Sequence, residues 1–550
     1  MTRAKKSPIS VPSSALTVEQ FGEYIVPGVW LDEELLRWPP DVFALVGALL
    51  LKSGAYAHAV SGWQRYGKLE EWTKELKALG NAWSQKPAQP PGKIRSWYQT
   101  LRKNKSVLVE HVCAKGDLCA VLIQLCAAAD EACVGVGCTL LNPAAASNEF
   151  RKQASKRLAE TALTQQVSTL CKRVHHSTMR VLPKLHTPQS GITIRSFTHN
   201  LALCPAGDVK VKWAECLSEH RHCLNLLLAP WPLAVAPADF QSVERSRAEL
   251  PDLARGFGFF EYHPADEKDK LSLATKDGKL FDDLKTLLVN ARKAVSKIDG
   301  VVFPELALTA TQYEMISEYL IAQGIFLICG VRDTPPPDKK AAQNYLRFDI
   351  PFSPPMSHRQ DKHHRWRLDQ RQIVQYGLGS CLDVAANWWE HIPIGNRELY
   401  FVVLDNWLTV CPLICEDLAR QDPIAELVRA VGPNLVIALL MDGPQLPSRW
   451  PARYATVLAD DPGSSVLTLT SVGMAELSRP PTIAAGSRAI ALWKDAKTGE
   501  AISIELPRDR QGAVLSLSRV FVKEYAADGR DDGGATGYPT LSGVHYISCS

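Results

Sequence analysis

Residues 413–418, Leu-Ile-Cys-Glu-Asp-Leu, and residues 301–305, Val-Val-Phe-Pro-Glu, are the two most informative stretches of this chain. Each is an apolar run that ends in one reactive side chain, the thiol of Cys415 in the first and the carboxylate of Glu305 in the second. Short apolar runs bounded in this way indicate buried strands. A reactive group at the end of such a strand is held rigidly at the edge of a sheet.

The segments around these two stretches alternate between strand and helix patterns. An amphipathic helix over residues 280–295 precedes the strand 300–303, and the strand 408–414 leads into a helix that begins at Asp422-Pro423. Aspartate caps helices and proline fits their first turn, so this start is well marked. Alternation of this kind predicts an α/β fold with covered sheets.

The first part of the chain has a different pattern. Apolar residues recur at helical spacing from residue 16 to about residue 182, and Pro39-Pro40 is predicted to be a loop. We therefore predict an all-α domain over residues 1–183 and an α/β domain over residues 184–525, with its core over residues 222–525. The glycine-rich residues 526–550 are predicted to form a mobile tail.

The overall composition is that of a folded protein. Hydrophobic residues make up 46% of the chain and charged residues 22%, which excludes a disordered or fibrous class. The longest apolar stretch near the start, residues 42–51, is about half as long as a membrane helix needs. Residues 7–20 are broken by prolines and serines and supply no signal-peptide apolar segment, so we predict a cytoplasmic protein. None of the 14 cysteines forms a Cys-x-x-Cys pair, and we expect them to be reduced thiols.

Charge is distributed unevenly along the chain. Residues 1–210 hold 26 Lys and Arg against 16 Asp and Glu, and residues 151–200 hold nine against one. Residues 95–105 also mix aromatic and basic side chains. Such regions bind phosphate backbones, although most are solvated helix faces. Residues 95–200 are therefore a candidate nucleic-acid-binding region, with the solvated-face interpretation left open.

The reactive residues together suggest nucleophilic catalysis. A cysteine attacks as the thiolate, and a nearby ammonium such as that of Lys362 would lower the pKa of Cys415. Glu305 would take the thiol proton, and Lys362 with the backbone N–H of Glu416 would stabilise the oxyanion. Taken singly, these residues also fit a buried thiol, a surface carboxylate and a solvated charge. Lys339 and Lys340, in a proline-rich turn, are alternatives for the lysine.

The combination of motifs resembles the nitrilase, or carbon-nitrogen hydrolase, superfamily. Glu305 follows Phe-Pro, as in the glutamate motif of that family. Lys362 follows Asn344 by fewer than 20 residues, and Cys415 precedes a helix started by proline. Many members carry a second glutamate between the lysine and the cysteine, and Glu390 in Trp-Trp-Glu corresponds to it. The resemblance covers roughly residues 222–525.

This resemblance implies a four-layer α-β-β-α sandwich, homodimers or larger homo-oligomers, and no metal or organic cofactor. The Cys-Glu-Asp-Leu motif is similar to the glutaminase portions of glutamine-dependent NAD synthetases, which favours a small-molecule amide over a nitrile as substrate. Glu416 and Asp442 are the candidate substrate-binding residues. Asp442 also fits a simple turn-former before a glycine.

The residues and the resemblance therefore predict a hydrolase that uses Glu305, Lys362, Cys415 and Glu390 and forms a thioester acyl-enzyme. An acyltransferase, in which an amine replaces water, fits the same residues. The alternative from another class is a non-catalytic assembly module whose basic helical domain binds nucleic acid or a nucleotide, conceivably in bacterial antiviral defence.

Overall fold

A computed structural model gives the fold. It describes residues 15–30, 32–59, 69–164, 167–185, 193–207, 209–216, 222–243, 256–264, 278–333, 341–352, 355–478 and 486–549. No helix in these ranges combines the length and apolar character that a bilayer crossing requires.

The first part of the chain is helical, as predicted. Its α-helices are Val18–Ile25, Pro39–Ser53, Leu69–Gln85, Gly92–Lys103, Gly116–Ala132, Pro143–Ala146 and Glu149–Leu163. The loop predicted at Pro39-Pro40 is wrong, because both prolines lie in the first turn of the helix Pro39–Ser53. That turn needs no amide hydrogens from them and is compatible with the φ angle that the proline ring imposes.

Strands make up most of the remaining regular structure. They are β1 (Met179–Pro183), β2 (Leu201–Pro205), β3 (Lys210–Glu215), β4 (Cys223–Leu228), β5 (Phe240–Ser242), β6 (Phe257–Tyr262), β7 (Gly300–Val302), β8 (Leu308–Thr309), β9 (Phe326–Asp333), β10 (Gln343–Ile350), β11 (Met356–Asp361), β12 (Arg367–Leu368), β13 (Asn387–Glu390), β14 (Glu398–Asp405), β15 (Leu408–Ile414), β16 (Leu435–Leu439), β17 (Ser465–Leu469), β18 (Ala489–Lys494), β19 (Ala501–Glu505), β20 (Gly512–Val522) and β21 (Thr536–Ile547). The accompanying α-helices are Lys279–Ala294, Ala310–Ile321, Gln370–Gln375, Glu426–Val431, Trp450–Asp460 and Val472–Leu477.

Two large sheets form the centre of the α/β part. One has the order β11-β10-β9-β7-β4-β20-β21, with β8 also paired to β9. The other has the order β19-β18-β17-β16-β15-β14-β3. The pairs β4–β7, β7–β9, β15–β16 and β16–β17 are parallel, so the carboxyl ends of β7 and β15 are each fixed within a central sheet.

Side-chain alternation along the strands explains how the sheets are layered. In β4, Leu226 and Leu228 belong to the core shared with the second sheet, whereas Leu227 packs against the helices Lys279–Ala294 and Ala310–Ile321. The helix Trp450–Asp460 covers the second sheet at β17 and β18. Successive strand residues point to opposite faces, so one strand serves both layers. The four-layer α-β-β-α sandwich is confirmed.

A smaller sheet lies beside the sandwich. Its order is β12-β13-β6-β5, and its inward side chains form a separate apolar cluster that includes Phe240, Phe260 and Trp366. This sheet matters for the site because β13 ends at Glu390. The sequence pattern did not indicate it, since its strands are two to six residues long.

The segment predicted to be a mobile tail is instead part of a central sheet, so that prediction is wrong. β21 (Thr536–Ile547) pairs with β20 along its length and forms the edge of the first sheet. Before it, Arg530 is fully buried and binds the carboxylates of Asp130, Glu131 and Asp528. Glycine content suggested mobility, but strand pairing and this buried charge cluster hold the segment in place.

The helical part and the sandwich are in direct contact. β1 pairs with β2, so the boundary predicted at residue 183 falls inside a two-stranded sheet rather than in a linker. The helix Pro39–Ser53 packs on this sheet, and the helix Glu149–Leu163 packs on β3, the edge strand of the second large sheet. One continuous apolar core runs from the helices into the space between the sheets.

Candidate active site

Glu305 lies just beyond the end of β7, where the neighbouring strand fixes the backbone. Gly330 of β9 donates its N–H to the carbonyl of Pro304 at 3.1 Å. A Cβ atom on Gly330 would lie 2.4 Å from the Cα of Glu305, so only glycine permits this approach. The next residue, Leu306, has a φ of 54°, in the left-handed region. The backbone around the carboxylate is therefore tightly constrained.

Lys362 directly follows β11, and the residues after it are hydrogen-bonded to the turn that contains Cys415. Its backbone N–H donates to the carbonyl of Asn344 at 3.1 Å. The buried carboxylate of Asp417, two residues after Cys415, accepts hydrogen bonds from the N–H of His363 at 3.2 Å and from Nδ1 of His364 at 2.8 Å. Asp417 thus connects the lysine segment to the cysteine turn.

Cys415 occupies a strained turn. β15 ends at Ile414, and a 3₁₀-helix, Cys415–Leu418, begins at the cysteine itself. Its φ is 41°, a value that side chains other than glycine rarely adopt. In the described residues, Leu306 and Cys415 are the two non-glycine positions with positive φ, and both adjoin the site. Nucleophiles on strand-to-helix turns in hydrolases have comparable strain.

The charged side chains form one compact cluster. Nζ of Lys362 lies 2.8 Å from Oε1 of Glu305 and 2.6 Å from Oε2 of Glu390. The side-chain amide of Asn344 donates to Glu305 at 2.8 Å and to Glu390 at 2.7 Å. The N–H of Trp366 donates to Glu390 at 3.1 Å. Lys362, Glu305 and Glu390, which are far apart in the sequence, are therefore brought together as predicted.

The pKa of Cys415 depends on burial and on the charges of both Glu305 and Lys362. Burial and the charge of Glu305 raise the pKa of Cys415 well above its ordinary value. Lys362 acts to lower the pKa of the thiol, as expected, but it offsets only part of this rise. The reason is that the sulfur is 2% exposed and feels a carboxylate as well as the ammonium.

The pKa values of Glu305 and Lys362 are also shifted, for different reasons. Burial raises the pKa of Glu305, and the charge of Lys362 only partly opposes this shift. Burial acts to lower the pKa of Lys362, but the charges of Glu305 and Glu390 outweigh it and raise the pKa well above its ordinary value. The lysine is thus a permanent cation. Oε2 of Glu305 is buried and has no hydrogen-bond partner among the described residues, so it has a lone pair available to accept a proton.

The two candidate substrate-binding residues have protein partners. The carboxylate of Glu416 binds Arg420 at 2.7 Å, so its backbone N–H, in the first turn of the 3₁₀-helix, is the group suited to an oxyanion. Oδ1 of Asp442 accepts from the hydroxyl of Tyr376 at 2.5 Å and pairs with Arg449 at 2.7 Å. Oδ2 of Asp442 is buried and has no hydrogen-bond partner in the part of the chain that the structure describes. Direct contact of either residue with substrate stays a prediction.

A pocket of about 930 Å³ adjoins the cluster and includes Asn344 and Glu390 in its wall. Trp366, Leu306 and Met441 also line it. Cys415 is 2% exposed and is not among the described residues that line the pocket, so side chains of the wall separate the sulfur from the cavity. The pocket volume is in the range of binding sites for small molecules.

Sequence reasoning did not assign roles to Asn344, Asp417 or Gly330. In the sequence, Asn344 only marks the spacing to Lys362, whereas in the fold its amide connects both carboxylates. Asp417 belongs to the cysteine motif, but its contact with His363 and His364 depends on the fold. The alternative lysines, Lys339 and Lys340, lie outside the described residues.

Several cations of the basic N-terminal region have acidic partners. Lys105 pairs with Glu19 at 3.0 Å, Lys152 with Glu149 at 3.5 Å, and Arg173 with Glu34 at 2.8 Å. Nucleic-acid binding by residues 95–200 and homo-oligomer formation stay predictions.

The chain is similar to several solved structures. One is Nit3 from Saccharomyces cerevisiae, a member of branch 10 of the nitrilase superfamily, with 12% identity and a TM-score of 0.31 over 54% of this chain and 90% of that one. An amidase from Nesterenkonia sp. has 13% identity and a TM-score of 0.32, covering 54% of this chain and 92% of its own.

Another is the glutamine-dependent NAD+ synthetase of Acinetobacter baumannii, with 11% identity, a TM-score of 0.29, and 43% of this chain covered against 42% of that one. No protein-family model and no curated protein matches the chain.

Proposed function

We propose that this chain is a carbon-nitrogen hydrolase that acts on a small-molecule amide. The observation that carries the proposal is the ammonium of Lys362 held 2.8 Å from Glu305 and 2.6 Å from Glu390, beside a cysteine on a strained turn. Acyl transfer through a covalent intermediate uses a nucleophile, a general base and a group that stabilises the oxyanion, and a fixed ammonium can serve as the third.

In the first step, Oε2 of Glu305 takes the proton of the Cys415 thiol while Sγ attacks the amide carbonyl carbon. Because the pKa of the thiol is raised, proton transfer and attack occur together rather than from a preformed thiolate. The carbonyl oxygen becomes an oxyanion, which Nζ of Lys362 and the N–H of Glu416 stabilise.

In the second step, the tetrahedral intermediate collapses and the C–N bond breaks. Glu305 returns its proton to the leaving nitrogen, so ammonia or an amine departs and a thioester remains on Cys415. Glu305 then removes a proton from water, which attacks the thioester, and the carboxylic acid leaves as the thiol recovers its proton. Each proton taken by Glu305 is thereby returned.

Glu390 acts as a positioning residue. Its two oxygens bind Lys362, Asn344 and the N–H of Trp366, so it fixes the ammonium and supplies the second negative charge that keeps the lysine protonated. The fixed cation favours a substrate whose oxygen becomes negative during attack, as the carbonyl oxygen of an amide does.

The test is a screen of small amides and nitriles for ammonia release, with two matched variants. Cys415→Ala removes the nucleophile and is expected to abolish release. Cys411→Ala removes another buried thiol, on β15, the strand that ends just before Cys415, and this variant is expected to retain ammonia release. Release that persists in Cys415→Ala, or its absence for every compound with wild-type protein, would contradict the proposal.

A further inference from the structure

The pocket wall next to Glu390 contains a His-Glu-His arrangement that the proposed chemistry does not use. Glu261 and His391 lie side by side where β6 and β13 run parallel. Nδ1 of His391 is 2.7 Å from Oε1 of Glu261, and Nε2 of His263 is 2.9 Å from Oε2 of the same carboxylate. All three residues line the pocket.

This arrangement determines what the wall offers to a ligand. A carboxylate only accepts hydrogen bonds, so the ring nitrogens that face Glu261 carry protons. Burial acts to raise the pKa of Glu261, but hydrogen bonds from His263 and His391 lower it to about 2, and the carboxylate stays charged. When the rings are neutral, the other nitrogens, Nε2 of His391 and Nδ1 of His263, are acceptors.

The remaining lining is aromatic and mainly acidic. Trp231, Phe260, Tyr262 and Trp366 contribute rings, and such rings attract cations through their negative faces. Among the residues that the structure describes, five carboxylates line the pocket against two Lys or Arg cations, Lys279 and Arg332. One of the five, Glu390, is paired with Lys362 behind the wall, which leaves four carboxylates against the two cations. Of these cations, Arg332 donates Nη1 to the carbonyls of Leu306 and Ala307 at 2.7 and 3.0 Å. The pocket is thus rich in acceptors, negative charge and aromatic surface.

We propose that the substrate is an amide whose far end carries a cationic group, an ammonium or a guanidinium, bound against the Glu261–His391–His263 wall and the aromatic rings. This inference rests on the proposed function for the position of the reacting carbonyl. An anionic end would face like charge, and a neutral apolar end would leave the acceptors of the wall without partners.

The test measures binding to Cys415→Ala protein by calorimetry, so that it does not depend on turnover. The probes are three amides on the same short alkyl chain that end in ammonium, in a neutral methyl group of similar size, or in carboxylate. We expect the cationic amide to bind about tenfold or more tightly than the neutral one, with the anionic amide weakest. Equal affinities, or tighter binding of the anionic amide, would overturn the inference.

Two variants test whether the Glu261–His391–His263 wall causes the preference for the cationic amide. Glu261→Gln, made in the Cys415→Ala background, is expected to reduce the ratio of cationic to neutral affinity several-fold. Glu314→Gln, on the exposed face of the helix Ala310–Ile321, is expected to keep the wild-type ratio. A ratio unchanged by Glu261→Gln would contradict the assignment to this wall. Ammonia release by wild-type protein is scored separately, so a failed charge preference and a failed hydrolase proposal are distinguishable.

Discussion

The buried lysine is the residue on which the site is built. Lys362 is 1% exposed, and its charge is balanced by Glu305 and Glu390. Removing one partner from a buried ionic cluster leaves uncompensated charge, which costs far more than a surface ion pair contributes. The same lysine therefore determines stability as well as reactivity.

We predict that Lys362→Met lowers the free energy of unfolding at pH 7 by about 3 kcal/mol or more, because two carboxylates remain buried without their cation. A buried carboxyl whose pKa is raised in the folded state lowers the free energy of unfolding at pH values above its unfolded pKa, here 4.5 for Glu305. This loss disappears as the pH falls towards the unfolded pKa, because the carboxyl becomes neutral. The difference in unfolding free energy between the variant and the wild type should therefore shrink between pH 7 and pH 4.5. Urea unfolding measures this difference in unfolding free energy, with exposed Lys293→Met as control.

The protonated state of Cys415 gives a second prediction at this scale. Its thiol has a raised pKa and is 2% exposed, whereas Cys223 is exposed. Iodoacetamide at pH 7 should therefore alkylate Cys223 well before Cys415, as followed by peptide mapping. Faster alkylation of Cys415 in the free protein would indicate a preformed thiolate and contradict the concerted first step.

At this scale, the sequence predicted which residues meet but not their protonation. Glu305, Lys362 and Glu390 cluster as expected because strand ends position them. The pKa of Cys415 depends on how deeply the sulfur is buried and on its closeness to Glu305, and neither can be obtained from the order of residues along the chain.

At the scale of elements, four strands position the residues of the site. β7, β11, β13 and β15 each end at or just before one of its residues. The strand predicted over residues 408–414 matches β15, and the helix predicted over 280–295 matches Lys279–Ala294 within one residue. Long apolar runs made these elements predictable.

The sequence did not predict elements that are short or whose residue pattern is mixed. β13 has four residues, and β21 begins among glycines that by themselves indicate a loop. β21 is held by its long pairing with β20, a tertiary interaction that local sequence does not encode. The helices of the N-terminal region were easier to predict from the sequence, because the periodicity of apolar residues in a helix is a local property.

The contact between β9 and the Glu305 segment can be tested directly. Gly330→Ala would place a Cβ 2.4 Å from Cα of Glu305 and 2.6 Å from the carbonyl oxygen of Pro304, so the backbone must shift. We expect amide hydrolysis to fall by about 100-fold, since a displacement near 1 Å is enough for such a loss. Gly395→Ala, which meets no atom within 4 Å, should be neutral. Full activity in Gly330→Ala would contradict the role given to this contact.

At the scale of the whole molecule, the helical region and the sandwich share one core. Arg530 is the buried charge at this junction, with Nη1 3.1 Å from Asp130 and 2.6 Å from Glu131, and Nε 2.7 Å from Asp528. The chain thereby ties the helix Gly116–Ala132 to the segment that leads into β21. The sequence predicted two fold types but not that they form a continuous structure.

We predict that Arg530→Met lowers the free energy of unfolding by about 3–5 kcal/mol, because three carboxylates lose their common cation. Arg530→Lys should not restore it, since an ammonium cannot reproduce the guanidinium's several directed hydrogen bonds. Urea unfolding with exposed Arg508→Met as control measures the effect. Hydrogen exchange should report faster opening of β21. Unchanged exchange in β21 would contradict the proposed role of Arg530 in connecting the helix Gly116–Ala132 to this strand.

The central claim is that Cys415 forms a covalent acyl-enzyme with help from Glu305 and Lys362. Its most direct test is the intact mass of protein quenched in acid during turnover of an amide, followed by peptide mapping. We predict an adduct equal to the substrate mass minus ammonia, on the peptide that contains Cys415 and absent from Cys415→Ala. An adduct on another residue, or ammonia release without any adduct that persists in Cys415→Ala, would contradict the account.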